Sequence, residues 1–188
     1  MLIFLPNNTI EIRGILMNKF AGWLLITISF LIVTTGISKA DSRQLLNSFR
    51  DWDAFVLKTD AGETVCYMIS LPKEKAPSSL LHGNPFITVT HKPSLEIRNE
   101  FNFIAGYDFQ KGSAVKMVID KTTNGNLFTE QDGAWAYDAK QDDTIVASLK
   151  RGNSLILNAR SGRGNATSYR FSLSGFTAAH NAITNACR

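Results

Sequence analysis

The chain has 188 residues, with 20 Lys+Arg against 16 Asp+Glu and a formal charge of +4. Hydrophobic residues make up 44% and charged residues only 19%, a balance that excludes an intrinsically disordered chain. The basic excess is small and scattered, which argues against a nucleic-acid partner, and the length suits a single domain.

The first feature in chain order is an export signal. Residues Phe20 to Ser38 carry no charge, and their centre, Leu24 to Val33, is apolar but for Thr27 and Ser29. Lys19 precedes the run and Ser38-Lys39-Ala40 follows it, giving a positive start, an apolar middle and a small-x-small cleavage site. Cleavage is expected after Ala40, leaving residues 41–188 as one domain in the periplasm or outside the cell. The alternative is an uncleaved anchor, since nineteen charge-free residues can just span a bilayer. Residues 1–16, with Pro6, Asn7, Asn8 and Glu11, fit a signal peptide poorly, so translation is expected to start at Met17. Removing residues 1–40 takes away three basic groups and one acidic group, leaving 17 against 15 and a net charge of +2.

After Asp41, short β-branched and aromatic runs alternate with turn signals. Strands are expected at 53–58, 64–70, 86–91, 100–105, 114–119, 154–159 and 168–173, with a short segment at Ala134-Trp135-Ala136. Leu71 to Pro85 holds three prolines and reads as a long surface loop. Asn124-Gly125 is the expected hairpin turn between Val118-Ile119 and Leu127-Phe128, and Asp132-Gly133 a second turn. Asp142–Lys150 fits either a helix or a strand, and Asp142 or Asp143 could cap it. From Phe176 onwards the apolar period turns helical, so 177–185 is expected to be a closing helix. Many short strands and one helix indicate an all-β sandwich or barrel.

Two cysteines, Cys66 and Cys187, remain after cleavage. An even count in an oxidising compartment points to a disulfide between them; the alternative is two separate buried thiols. They are too far apart in sequence for the paired spacing of a zinc site, and His82, His91 and His180 lack close ligand spacing. The histidines therefore read as independent surface or capping residues. There is no Gly-x-Ser-x-Gly elbow and no phosphate loop, because Gly162-Arg163-Gly164 lacks the Lys and Ser/Thr that a phosphate loop needs. The residues thus indicate no catalytic group, metal or cofactor. Trp135, with Tyr137 two residues on, is read as a core residue at one end of the sandwich, the alternative being an exposed aromatic platform.

The ordered set Trp52, Cys66-Tyr67, Gly83-x-Pro85-Phe86, Val89-Thr90, Gly106-Tyr107, Ala134-Trp135, Lys150-Arg151-Gly152, Ser161-Gly162-Arg163-Gly164, Ser174 to Ala179 and Cys187 resembles the invasion-associated locus B family of exported bacterial proteins. The resemblance implies an immunoglobulin-like β-sandwich, a periplasmic or outer-membrane-associated location, a link in some pathogens with entry into host cells, and no catalytic residues. His82 and Asn165 stand where Arg and Thr are common in that family. The resulting expectation is a non-enzymatic envelope protein that binds an envelope or host protein. His82, Trp135 and Arg163 are its candidate binding residues, and the loops 71–84 and 161–165 its candidate contact surfaces. A periplasmic hydrolase, in which His82 or His91 meets a Ser, Asp or Glu in a pocket, and a structural accessory of an envelope complex are the competing expectations.

Overall fold

The computed structural model describes residues 41–188. The expected signal peptide, the Met17 start and the residues preceding the cleavage point lie outside the described residues. In chain order the elements are β1 Ser42–Phe49, β2 Trp52–Lys58, β3 Thr64–Ser70, β4 Glu74–Ala76, β5 Phe86–Lys92, β6 Ile97–Ile104, β7 Ala114–Ile119, β8 Thr122–Glu130, β9 Gly133–Trp135, α1 Ala139–Leu149, β10 Ser154–Arg160, β11 Ala166–Ser172 and α2 Phe176–Ala186. A single turn of 3-10 helix, Pro93–Leu95, lies between β5 and β6.

All the strands pair antiparallel in the order β1-β2-β3-β5-β6-β9-β8-β7-β10-β11-β4. Period-two alternation sets which face is dry. In β5, Ile87, Val89 and His91 are buried, while Phe86, Thr88 and Thr90 are only partly covered. Phe101 and Phe103 of β6, Leu155 and Leu157 of β10, and Tyr169 and Phe171 of β11 point the same way, into the core. The sheet doubles over on itself. Although β2 and β11 stand second and tenth in the strand order, the Trp52 indole N–H donates to Ser172 O at 3.1 Å. Phe103 of β6 packs its ring 5.4 Å from Tyr169 and 6.2 Å from Phe171. The three-residue β9 links the two layers of this all-β sandwich.

The closing helix α2 lays Phe176, Ala179, His180 and Ile183 against the sheet, and Phe176 meets Trp52 edge-on at 4.9 Å. The Cys66–Cys187 disulfide is formed and ties the end of α2 to β3. Among the described residues no helix is long and apolar enough to cross a membrane.

Several elements differ from expectation. β1, an eight-residue edge strand exposed along almost all its length, carries no inward apolar alternation to announce it. A register shift between Leu45 and Asn47 interrupts its pairing with β2, a device that discourages edge-to-edge association. The expected loop 71–85 contains β4, which pairs with β11 and is fastened there by the Glu74–Arg170 ion pair. Asn124-Gly125 is not the hairpin turn. It falls inside β8 where the ladder slips, Met117 facing Gly125 and Val118 facing Thr123. The turn is Asp120-Lys121, both residues with positive φ, as tight two-residue hairpins require. The Asp120 carboxylate fixes it by accepting bonds from Asn153 N–H and Ser154 N–H, each at 2.9 Å. The ambiguous segment 142–150 is helical, and its cap is Asp138, which accepts from Gln141 N–H at 2.7 Å. Asp142 is not a cap; it accepts Phe101 N–H of β6 at 2.8 Å instead.

Candidate functional site

The two loops singled out in the sequence, about eighty residues apart, meet in the fold. Leu80, Leu81 and Gly83 from the first and Ser161, Gly162 and Arg163 from the second face each other across a cleft of about 730 Å³, with Gly106 and Tyr107 between them. Its floor is main chain against main chain. A side chain at Gly83 would place a Cβ 2.6 Å from Gly106 O, one at Gly106 a Cβ 2.7 Å from Asn84 N, and both residues have positive φ. Glycine is the residue that meets both conditions. On the other side, Gly162 N–H donates to Asp108 O at 2.7 Å and Gln110 N–H to Arg160 O at 2.9 Å, which locks the 161–165 turn to the strand-linking segment. Leu81 at the rim is fully exposed, and Arg163 opposite is exposed.

His82 lies beneath this rim and not on it. It is buried, so the expectation that it presents itself to a partner does not hold. Its Nε2–H donates to Pro77 O at 2.7 Å, which leaves Nδ1 to accept the Tyr169 hydroxyl at 2.9 Å. Burial above all, and hydrogen bonding with Tyr107, push the Tyr169 phenol above its ordinary value and keep it a donor. Tyr107 in turn meets Thr167 hydroxyl to hydroxyl at 2.5 Å. The chain Pro77–His82–Tyr169 therefore ties the first loop to β11.

Trp135 is not a core residue. In β9 the side chain of Ala134 points inward and is fully buried, so Trp135 points outward. It stands over Gly133, whose hypothetical Cβ would lie 2.1 Å from the indole Cη2. Opposite it in β8, Phe128 stacks on Trp135 at 5.8 Å and packs against Tyr137 at 5.6 Å. These three rings form the aromatic platform that was the alternative reading of Trp135, with Tyr137 exposed and Trp135 and Phe128 half-buried. The platform lines a second cleft, which shares no residue with the loop cleft.

His91 and His180 are also not independent surface groups. Both are buried, with rings edge-to-face at 5.4 Å. His91 Nδ1 accepts Asn99 N–H at 3.0 Å and its Nε2–H donates to the Thr184 hydroxyl at 3.2 Å. His180 Nε2–H donates to Asn99 Oδ1 at 2.7 Å. Burial first, then the positive charge of Arg98, lowers the His91 pKa. Burial first, then Lys150, lowers that of His180 to about 4. Both rings are therefore neutral at pH 7 and dock α2 on β5 and β6. Among the described residues neither meets a carboxylate or a serine, and no histidine lines either cleft. Among the described residues no group of three or more metal-ligating side chains comes together.

Sequence reasoning set Tyr137 beside Trp135 but missed Phe128, which comes from a neighbouring strand. The signal was present in outline, since Trp135 and Tyr137 share a strand parity and Phe128 lies one short hairpin away. The family model described as "Invasion associated locus B (IalB) protein" matches residues 52–184. No curated protein and no solved structure gives a significant match. The resemblance motifs Gly83-x-Pro85, Gly106-Tyr107 and Ser161 to Gly164 gather around the loop cleft, and with the model match spanning most of the chain, the protein belongs to the invasion-associated locus B family.

Proposed function

We propose that this protein is an exported, non-enzymatic envelope protein that binds a protein or envelope partner through the loop cleft. The observation that carries this reading is the convergence of the 71–84 and 161–165 loops on a glycine-built floor, with Leu81 and Arg163 left exposed at the rim. A fully exposed leucine across the cleft from a free guanidinium is an anchor-and-charge pair suited to a protein surface. The floor is main chain packed on main chain and the 161–165 turn is held by backbone bonds, so little ordering is needed on binding. The buried histidines serve the fold in this reading. Export rests on the charge-free run of Phe20 to Ser38 and the Ala40 site. It places the mature chain in the periplasm or outside the cell, where outer-membrane association brings it to envelope or host proteins.

A photo-reactive amino acid placed at Leu81 in living cells tests the reading, with a second at Asp60, in the exposed β2–β3 turn, as control. A discrete protein adduct at position 81 that is absent at 60 and lost in Arg163→Glu supports it. No adduct at 81, or the same adducts at both positions, overturns it. Mass spectrometry of the captured chain reads export independently, through an N-terminus at Asp41.

A further inference from the structure

The second cleft, formed on the outer face where β8, β9 and α1 meet β6, encloses about 500 Å³, within the range of small-molecule pockets. One wall is the continuous aromatic surface of Trp135, Phe128 and Tyr137, and Tyr137 is 63% exposed. Trp135 and Phe128 are half-buried, and an aromatic platform partly open to water with a cavity against it is a contact surface.

The remaining lining gives the cleft a sign. Glu96, Glu100, Glu130, Asp138 and Asp142 face it, against Arg98 alone. Two of these acids are already engaged. Glu100 pairs with Lys92 at 2.6 Å and Asp138 caps α1. Arg98 directs its guanidinium to Cys187 O at 3.3 Å. Among the described residues, Glu96, Glu130 and Asp142 have no ion-pair partner. Asp142 is partly buried, with a backbone N–H as its one strong bond, so a carboxylate sits partly desolvated without a counter-charge.

We propose that this cleft binds a small organic ammonium cation, its alkylated nitrogen seated on the Trp135–Phe128–Tyr137 rings and its charge balanced by Asp142, Glu96 and Glu130. The negative faces of the rings attract a cation that keeps an apolar surface, and an alkylammonium meets both conditions. An anion would meet unpaired carboxylates. A neutral ligand would gain from the rings alone.

The test is calorimetric titration of the purified protein with choline and with 3,3-dimethylbutan-1-ol, which has the same shape without the charge. Choline is expected to bind at least about tenfold more tightly than the alcohol, the ratio one good cation–π contact supplies. Asp142→Asn, which keeps an acceptor for Phe101 N–H, should weaken choline about tenfold and leave the alcohol unchanged. Trp135→Leu should abolish choline binding. Because Trp135 also covers Gly133, the exposed Tyr137→Leu serves as the variant that folds regardless, with an expected loss of about tenfold. Equal binding of choline and the alcohol, no heat from choline at millimolar concentration, or choline binding unaffected by both ring variants would overturn the proposal. None of these outcomes bears on the loop cleft.

Discussion

Asp142→Asn is expected to stabilise the protein at neutral pH, although it removes a charged hydrogen bond. Burial pushes the Asp142 carboxyl up from 3.8 to about 6; the Phe101 N–H bond opposes this, and the charges of Glu100, Asp143 and Asp138 add to it. The interval corresponds to about 3 kcal/mol of differential interaction, and to about 2 kcal/mol once solvent screening at this partly exposed position is allowed for. A carboxyl whose pKa is raised on folding contributes stability in its protonated form. That contribution is complete below 3.8 and is lost as pH rises through about 6. Asparagine keeps the acceptor and never ionises, so the variant should match the wild type near pH 4 and exceed it by about 2 kcal/mol at pH 7. Urea unfolding followed by Trp fluorescence across that range measures the difference, with Trp52 buried against Phe176 as the reporter. A variant no more stable at pH 7, or a gap that does not change with pH, would show that Asp142 is already compensated in the fold.

The remaining expectations use the same unfolding assay. His180 behaves oppositely to Asp142: its contribution is present above 6.5 and lost as pH falls toward about 4, a loss of about 3 kcal/mol. In an Asp142→Asn background this acid limb should be plain, and adding His180→Gln should remove most of it, leaving a residue from His91. Replacing Cys66 and Cys187 together with alanine should lower stability by about 5 kcal/mol, given their sequence separation of 121; reduction of the wild type should approach the same value. Gly83→Ala drives a Cβ to 2.6 Å from Gly106 O at positive φ, so it should cost more than about 2 kcal/mol and eliminate the Leu81 photo-adduct.

Most strands were legible because alternation is a local signal, and β3 and β7 match their expected bounds residue for residue. What escaped was set by pairing across the fold. β4 is too short to show a period and exists because β11 offers it an edge. β1 is exposed at every residue but its last, Phe49, so nothing in its apolar pattern marks it. The hairpin signal at Asn124-Gly125 was outweighed by Asp120, whose carboxylate finds its partners in Asn153 and Ser154, more than thirty residues away. At the candidate site, the loops could be named from composition, but their meeting could not. His82 looked like a surface residue because its partner Tyr169 lies 87 positions downstream. Trp135 looked like core because tryptophan usually is, and only the inward placement of Ala134 turns it outward.

The floor of the loop cleft is built from amide groups and absent side chains, while its rim is built from Leu81 and Arg163. In the proposed reading, recognition and architecture are carried by different residues. Exchanging a rim side chain leaves every bond that shapes the floor intact, so the surface can drift toward a new partner without passing through an unstable intermediate. A change at one of the floor glycines alters the framework itself. Proteins that share these glycines can therefore present unlike rims on one platform, and the identity of a partner is to be sought in the rim of each chain, not in the motif that unites them.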